Sequence, residues 1–154
     1  MSGNAPEIDL PQLPNARVAI ISSSWHLDIC NDLVAGAQRA LTAAAIINVE
    51  VIYVPGSFEI PLASQIAFEK GFDAVVAVGL VQEGETPHFD YVCQGVTQGV
   101  MDVSLKFSAP IGFGVLMCNT LDQAVARSGR PGSSEDKGYD SAVAAIKLLE
   151  LKAK

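Results

Sequence analysis

The chain has 154 residues, the size of one domain, and is 49% hydrophobic but only 18% charged. That balance is too apolar for a disordered segment and leaves apolar surface to spare for partner subunits. Ten basic against seventeen acidic residues give a net charge of −7, and without a basic patch this argues against nucleic acid or an anionic membrane as the partner.

Met1 to Asn15 carries three prolines and no basic start or apolar run, so it reads as a flexible arm rather than a signal peptide. Residues 16–154 then form the single domain. Arg17 to Ser22 reads as a buried strand. Leu33, Val34, Ala37, Leu41 and Ala44 follow at helical spacing. Asn48 to Val54, rich in β-branched residues, is a second strand. Pro61 to Lys70 reads as a short helix, with proline in its first turn and Gly71 at its end. Asp73 to Leu80 is apolar enough for a strand buried on both faces.

A loop from Val81 to Pro87 leads into a helix from about His88 to Phe107. Ile111 to Met117 is the fourth strand. Thr120 is placed to cap a helix from Leu121 to Ser128, and a Gly/Pro/Ser segment precedes a last helix to Leu151. Strands alternating with helices predict an α/β fold, a parallel sheet covered on both faces. Ligands in such folds bind beyond the carboxyl ends of the strands. Four segments lie there: 22–26, 55–59, 81–88 and 117–120. Within the long helix, Gly95 and Gly99 each cost about 1 kcal/mol relative to alanine. Close approach of another helix, within the chain or from a second subunit, would offset that cost.

The rim segments carry the candidate chemistry. Gly84-Glu85-Thr86-Pro87-His88 joins a strand end to a helix start, where free N–H groups and the helix dipole favour an anion. It lacks the P-loop and dinucleotide patterns, and it is also what an ordinary helix start capped by Thr86 would look like. His88 can move protons near neutral pH. Trp25, the only tryptophan, offers a flat ring to a heteroaromatic substrate. Gly56 permits close approach, and Glu59 can accept bonds from sugar hydroxyls or cap the next helix. His26, at a helix entrance, reads as a surface residue. Arg127 and Lys137 flank the late loop; an arginine suits phosphate, though one at a helix end is also mildly stabilising there. Cys30, Cys93 and Cys118 form no CxxC pair, so neither a zinc site nor a disulfide framework is expected, and a reducing cytoplasm is the simplest compartment.

Together these segments resemble the lumazine synthases. The resemblance runs from about Arg17 to Leu149 through SSSWH (22–26), VPGSFEIP (54–61), GETPHFDYV (84–92), GFGVL (112–116), QAVARSG (123–129) and DKG (136–138). The late GRPGSSEDKG loop is most similar to the actinobacterial branch. The resemblance implies a flavodoxin-like three-layer sandwich with a four-stranded parallel sheet, assembled as a homopentamer with active sites between adjacent subunits. It implies condensation of a ribitylamino-pyrimidine with a four-carbon sugar phosphate, without cofactor or metal. Trp25 would stack on the pyrimidinedione, with Phe113 of the adjacent chain nearby. Ser57, Phe58 and Glu59 would hold the ribityl chain and amine, and the main chain at Val81 and Gln82 would read the pyrimidine edge. Gly84, Glu85, Thr86 and Arg127 would bind phosphate, His88 would carry protons, and Lys137 would sit near the pyrimidine.

Four departures stand out. The family's VIRG is Val81-Gln82-Glu83-Gly84 here, and two threonines of its LTT(D/N)T are Met117 and Cys118. Glu83, Met117 and Cys118 motivate an alternative reading, a lumazine-synthase-like scaffold with weakened catalysis; a flavin- or lumazine-binding module without chemistry is a third. The late loop looks longer than in the shell-forming members of that family and is restricted by Pro131, so the resemblance implies a pentamer that does not close into a shell.

Overall fold

Alternation of apolar side chains builds two cores on one sheet. The computed structural model describes residues 5–154; the first four residues of the expected arm lie outside that range. The strands β1 (Arg17–Ser23), β2 (Asn48–Val54), β3 (Ala74–Gln82) and β4 (Ile111–Cys118) are all parallel, in the order β2-β1-β3-β4. Val18, Ile20, Val76, Val78 and Leu116 face helices α1 (Leu27–Ala43) and α5 (Lys137–Ala153). Ala19, Ile21, Val75, Ala77 and Val115 face α2 (Ile60–Glu69) and α3 (His88–Phe107). The expected three layers are therefore present, with side-chain period two distributing each strand between both faces. Among the described residues no helix is long and apolar enough to cross a membrane.

Several local expectations change. β3 runs two residues further than its apolar run, because Val81 and Gln82 stay in register with Met117 and Cys118; the loop starts at Glu83. The helix after β4, α4 (Leu121–Val125), is capped by Thr120, whose hydroxyl accepts from the Gln123 N–H at 3.3 Å. It stops short of Ser128 because the chain folds back on itself: Ser128 bridges Asp136, the Glu135 N–H donates to Ala126 O, and the Lys137 N–H to Arg127 O. Thr86 does not cap α3, which starts behind Pro87 with no side-chain cap.

The two glycines of α3 meet their own chain. A Cβ on Gly95 would stand 2.7 Å from the Phe58 ring, and one on Gly99 2.7 Å from Pro61. Close intrachain packing against the 57–61 segment thus offsets their helix cost. At the other end of the sheet, Leu10 and Leu13 pack on the core, and the Leu13 N–H donates to Ala44 O at 2.8 Å.

Candidate active site

The carboxyl ends of β1 and β3 open into a cavity of about 810 Å³. Its walls come from Trp25 and His26 after β1, the 55–59 turn after β2, residues 80–84 at the end of β3, and His88, Tyr91 and Val92 on the first turns of α3. Of the residues predicted from sequence, this one cavity collects Trp25, Ser57, Phe58, Glu59, Val81, Gln82, Gly84 and His88.

Each wall has a local cause. Trp25 is 69% exposed, and its indole edge rests in van der Waals range of Gly56, where an added Cβ would stand 3.6 Å from the ring and 3.1 Å from the Glu59 carboxylate. Ser57–Glu59 forms a single 3-10 turn, and Glu59 reaches back to accept the Gly56 N–H at 2.8 Å. Its carboxylate therefore caps that turn, while remaining exposed. The Ser57 hydroxyl is buried and has no hydrogen-bond partner within the described chain. Glu83, on the cavity wall, accepts a hydrogen bond from the Asn119 side-chain amide, and its N–H donates to Cys118 O at 2.9 Å.

The other predicted residues stand apart from this cavity. Glu85 and Thr86 are exposed beside it without lining it. Phe113 projects, 42% exposed, from the edge strand β4. Arg127 and Lys137 meet at a residue that the sequence did not single out, Glu135: Arg127 Nε lies 3.9 Å from one carboxylate oxygen and Lys137 Nζ 2.5 Å from the other. The Lys137 ammonium holds the Glu135 carboxyl below its ordinary range, and Glu135 in turn raises Lys137. Arg127 also donates to Gln123 O at 2.9 Å. Its guanidinium is thus oriented without a ligand.

Against known families, the model described as 6,7-dimethyl-8-ribityllumazine synthase matches residues 15–153. The chain belongs to this family. Curated lumazine synthases of Streptomyces coelicolor (50% identical over 147 residues, 95% of this chain and 91% of that protein), Arthrobacter sp. strain FB24 (49% over 152 residues, 95% and 94%) and Kocuria rhizophila (48% over 150 residues, 95% and 95%) are among its relatives. The actinobacterial resemblance of the late loop agrees with these sources.

Within the lumazine synthase frame, the four departures separate. Cys118 is buried among the α1/α5 core and Met117 packs half-buried on the other face; neither lines the cavity. Only Glu83 and its neighbour Gln82 touch it. Tyr91 is a wall residue that sequence reasoning missed; it lies three positions after His88, on the same face of α3. Asn119 was missed too, since nothing local shows that the end of β4 lies beside the end of β3.

Proposed function

We propose that the chain condenses 5-amino-6-(ribitylamino)uracil with 3,4-dihydroxy-2-butanone 4-phosphate to 6,7-dimethyl-8-ribityllumazine, releasing phosphate and water, as a transferase of cytoplasmic riboflavin biosynthesis. The observation that carries this reading is the gathering of Trp25, the 57–59 turn, the end of β3 and His88 around one void in a member of this family. Trp25 stacks on the pyrimidinedione, and the main chain at Val81 and Gln82 reads its edge. Ser57, whose buried hydroxyl lacks a partner, joins Phe58 and Glu59 in holding the ribityl chain and amine. The amine adds to the ketone and water leaves; His88 carries protons through imine formation and enolisation. Phosphate is then expelled, and ring closure loses water. Holding two substrates together supplies much of the acceleration.

The phosphate step needs positive charge. The cavity of one chain contains Glu59, Glu83, His26 and His88 but neither lysine nor arginine. Phe113 instead belongs to β4, and Arg127 and Lys137 flank the late loop, Lys137 as the first residue of α5. Their separation supports a site completed by a neighbouring copy, which brings Arg127 to the phosphate at Gly84, Glu85 and Thr86, and Phe113 and Lys137 to the pyrimidine. A homopentamer that stops short of a shell is the assembly proposed, built from the domain 16–154.

Two impaired variants test both claims. His88→Ala and Arg127→Ala should each lower the rate at which product absorbance appears about 100-fold when the two substrates are mixed. Co-refolded in equal amounts, they should recover about a quarter of the wild-type rate, the fraction of sites with both residues intact when adjacent chains share each site. No recovery would exclude the shared site. A wild-type chain that forms no product at any pH would exclude the reaction itself. Light scattering should give the mass of five chains.

A further inference from the structure

Trp25 is held from beneath rather than from its exposed ring. His26, between Trp25 and α1, adopts the left-handed backbone (φ 53°, ψ 60°) without any side-chain cap on the helix. A side-chain-bearing residue keeps that conformation only where its surroundings over-determine it. Cys30, completely buried, supplies the constraint. Its backbone N–H donates to His26 O at 3.1 Å and its thiol donates to Trp25 O at 3.2 Å, so a single residue grips two consecutive carbonyls of the turn.

The thiol has only one available direction. Trp25 O can only accept, so Cys30 is the donor there. Ser23 Oγ, 3.5 Å from the sulfur, then donates to it, and itself accepts the Leu80 N–H at 3.3 Å. Three hydrogen bonds run in one sense, from Leu80 N–H through Ser23 and Cys30 to the Trp25 carbonyl. Leu80 and Trp25 are both walls of the cavity. Burial pushes the Cys30 thiol up, which keeps it protonated and able to donate.

We infer that Cys30 is a positioning residue for the pyrimidine substrate: through Ser23 it ties the Trp25 platform to the β3 wall and fixes the ring's height over the cavity. This rests on the reading that Trp25 stacks on the pyrimidine. It assigns Cys30 a role in binding one substrate and none in the chemistry or in the phosphate end.

The test compares Cys30→Ala, which removes the donor, with Cys30→Ser, which retains one, and with Ser23→Ala, which cuts the link while leaving the cysteine. Cys30→Ala should raise KM for the ribitylamino-pyrimidine about fivefold, the loss of one net hydrogen bond. KM for the sugar phosphate should stay fixed, and kcat should change less than twofold. Cys30→Ser should restore more than half of the shift, and Ser23→Ala should move KM in the same direction by less. Trp25, as the only tryptophan, reports directly: its emission anisotropy in the free protein should fall in Cys30→Ala. A purely structural defect would lower the melting temperature and the active fraction but leave KM and anisotropy alone, and that result overturns the inference. Should Cys30→Ala not fold, Ser23→Ala decides by the same two measurements. If the wild-type chain does not turn over this substrate pair, the functional reading has failed; the anisotropy comparison still judges whether Cys30 holds Trp25.

Discussion

The cavity and the late loop solve opposite problems. The cavity is walled by side chains that leave their functional groups exposed: Trp25, Phe58, Glu83 and His88 all face solvent. The late loop is tied to α1 and to the start of α5 on either side of its exposed tip at Pro131 and Gly132. Arg130 pairs with Asp28 and Asp32 on α1, and Asp136 pairs with Arg39 while accepting the Tyr139 N–H at the start of α5. Its backbone closes through the Ser128–Asp136 bridge. The difference teaches a division of labour. On the function proposed above, groups that would meet substrates are left wet, whereas Arg127, which would meet the phosphate, already lies beside the Glu135 carboxylate with Lys137. Such preorganisation avoids reorganisation at the moment of reaction.

The largest effect should come from the cavity half. His88→Ala is expected to lower kcat by about 100-fold near neutral pH, while denaturant unfolding stays close to wild type because the side chain is exposed. A large loss of stability would break the contrast. Next is the packed half. A methyl at Gly138 would overlap the Leu33 carbonyl, backbone against backbone, where α5 crosses α1. Gly138→Ala should cost about 2–3 kcal/mol in urea unfolding and disturb the adjacent Lys137.

A smaller effect tests the Glu135 junction by pH. Glu135 is depressed below its ordinary 4.5, so its contribution is present above 4.5 and fades as pH falls through the lower folded value. Lys137 is raised above 10.5, so its contribution is present below 10.5 and fades at higher pH. Glu135→Gln should lose about 1 kcal/mol or less at pH 7, and the difference from wild type should shrink as pH falls below 4.5 and through the lower folded value; an unchanged gap in acid would dissociate the effect from this carboxyl. Smallest is Glu83→Arg, expected to lower KM for the sugar phosphate about threefold by replacing a negative with a positive charge on the cavity wall. No shift would mean that the Asn119-bonded carboxylate points its charge away from the anion.

Much of this was legible in the residues. β2 and α3 have the bounds that their patterns predict, since a β-branched run and an uninterrupted helical period dominate local preference. The rim residues followed from the parallel-sheet rule. What sequence could not display was pairing over distance. Gln82 looks like a loop residue until β4 is known to run beside it. Gly95 and Gly99 announced a close neighbour but not that it was Phe58 and Pro61. Arg127 and Lys137 read as separate cations because the backbone closure that brings both to Glu135 involves no local periodicity.

The leading segment has a practical consequence. Leu13 is fastened at the amino-terminal pole of the sheet, next to Ala44, while the cavity opens at the carboxyl pole. The seven residues of β1 separate the two poles by roughly 20 Å. A dye or an affinity handle coupled at Asp9, whose carbonyl meets Lys147, would therefore sit at the pole of the subunit opposite Trp25 and His88.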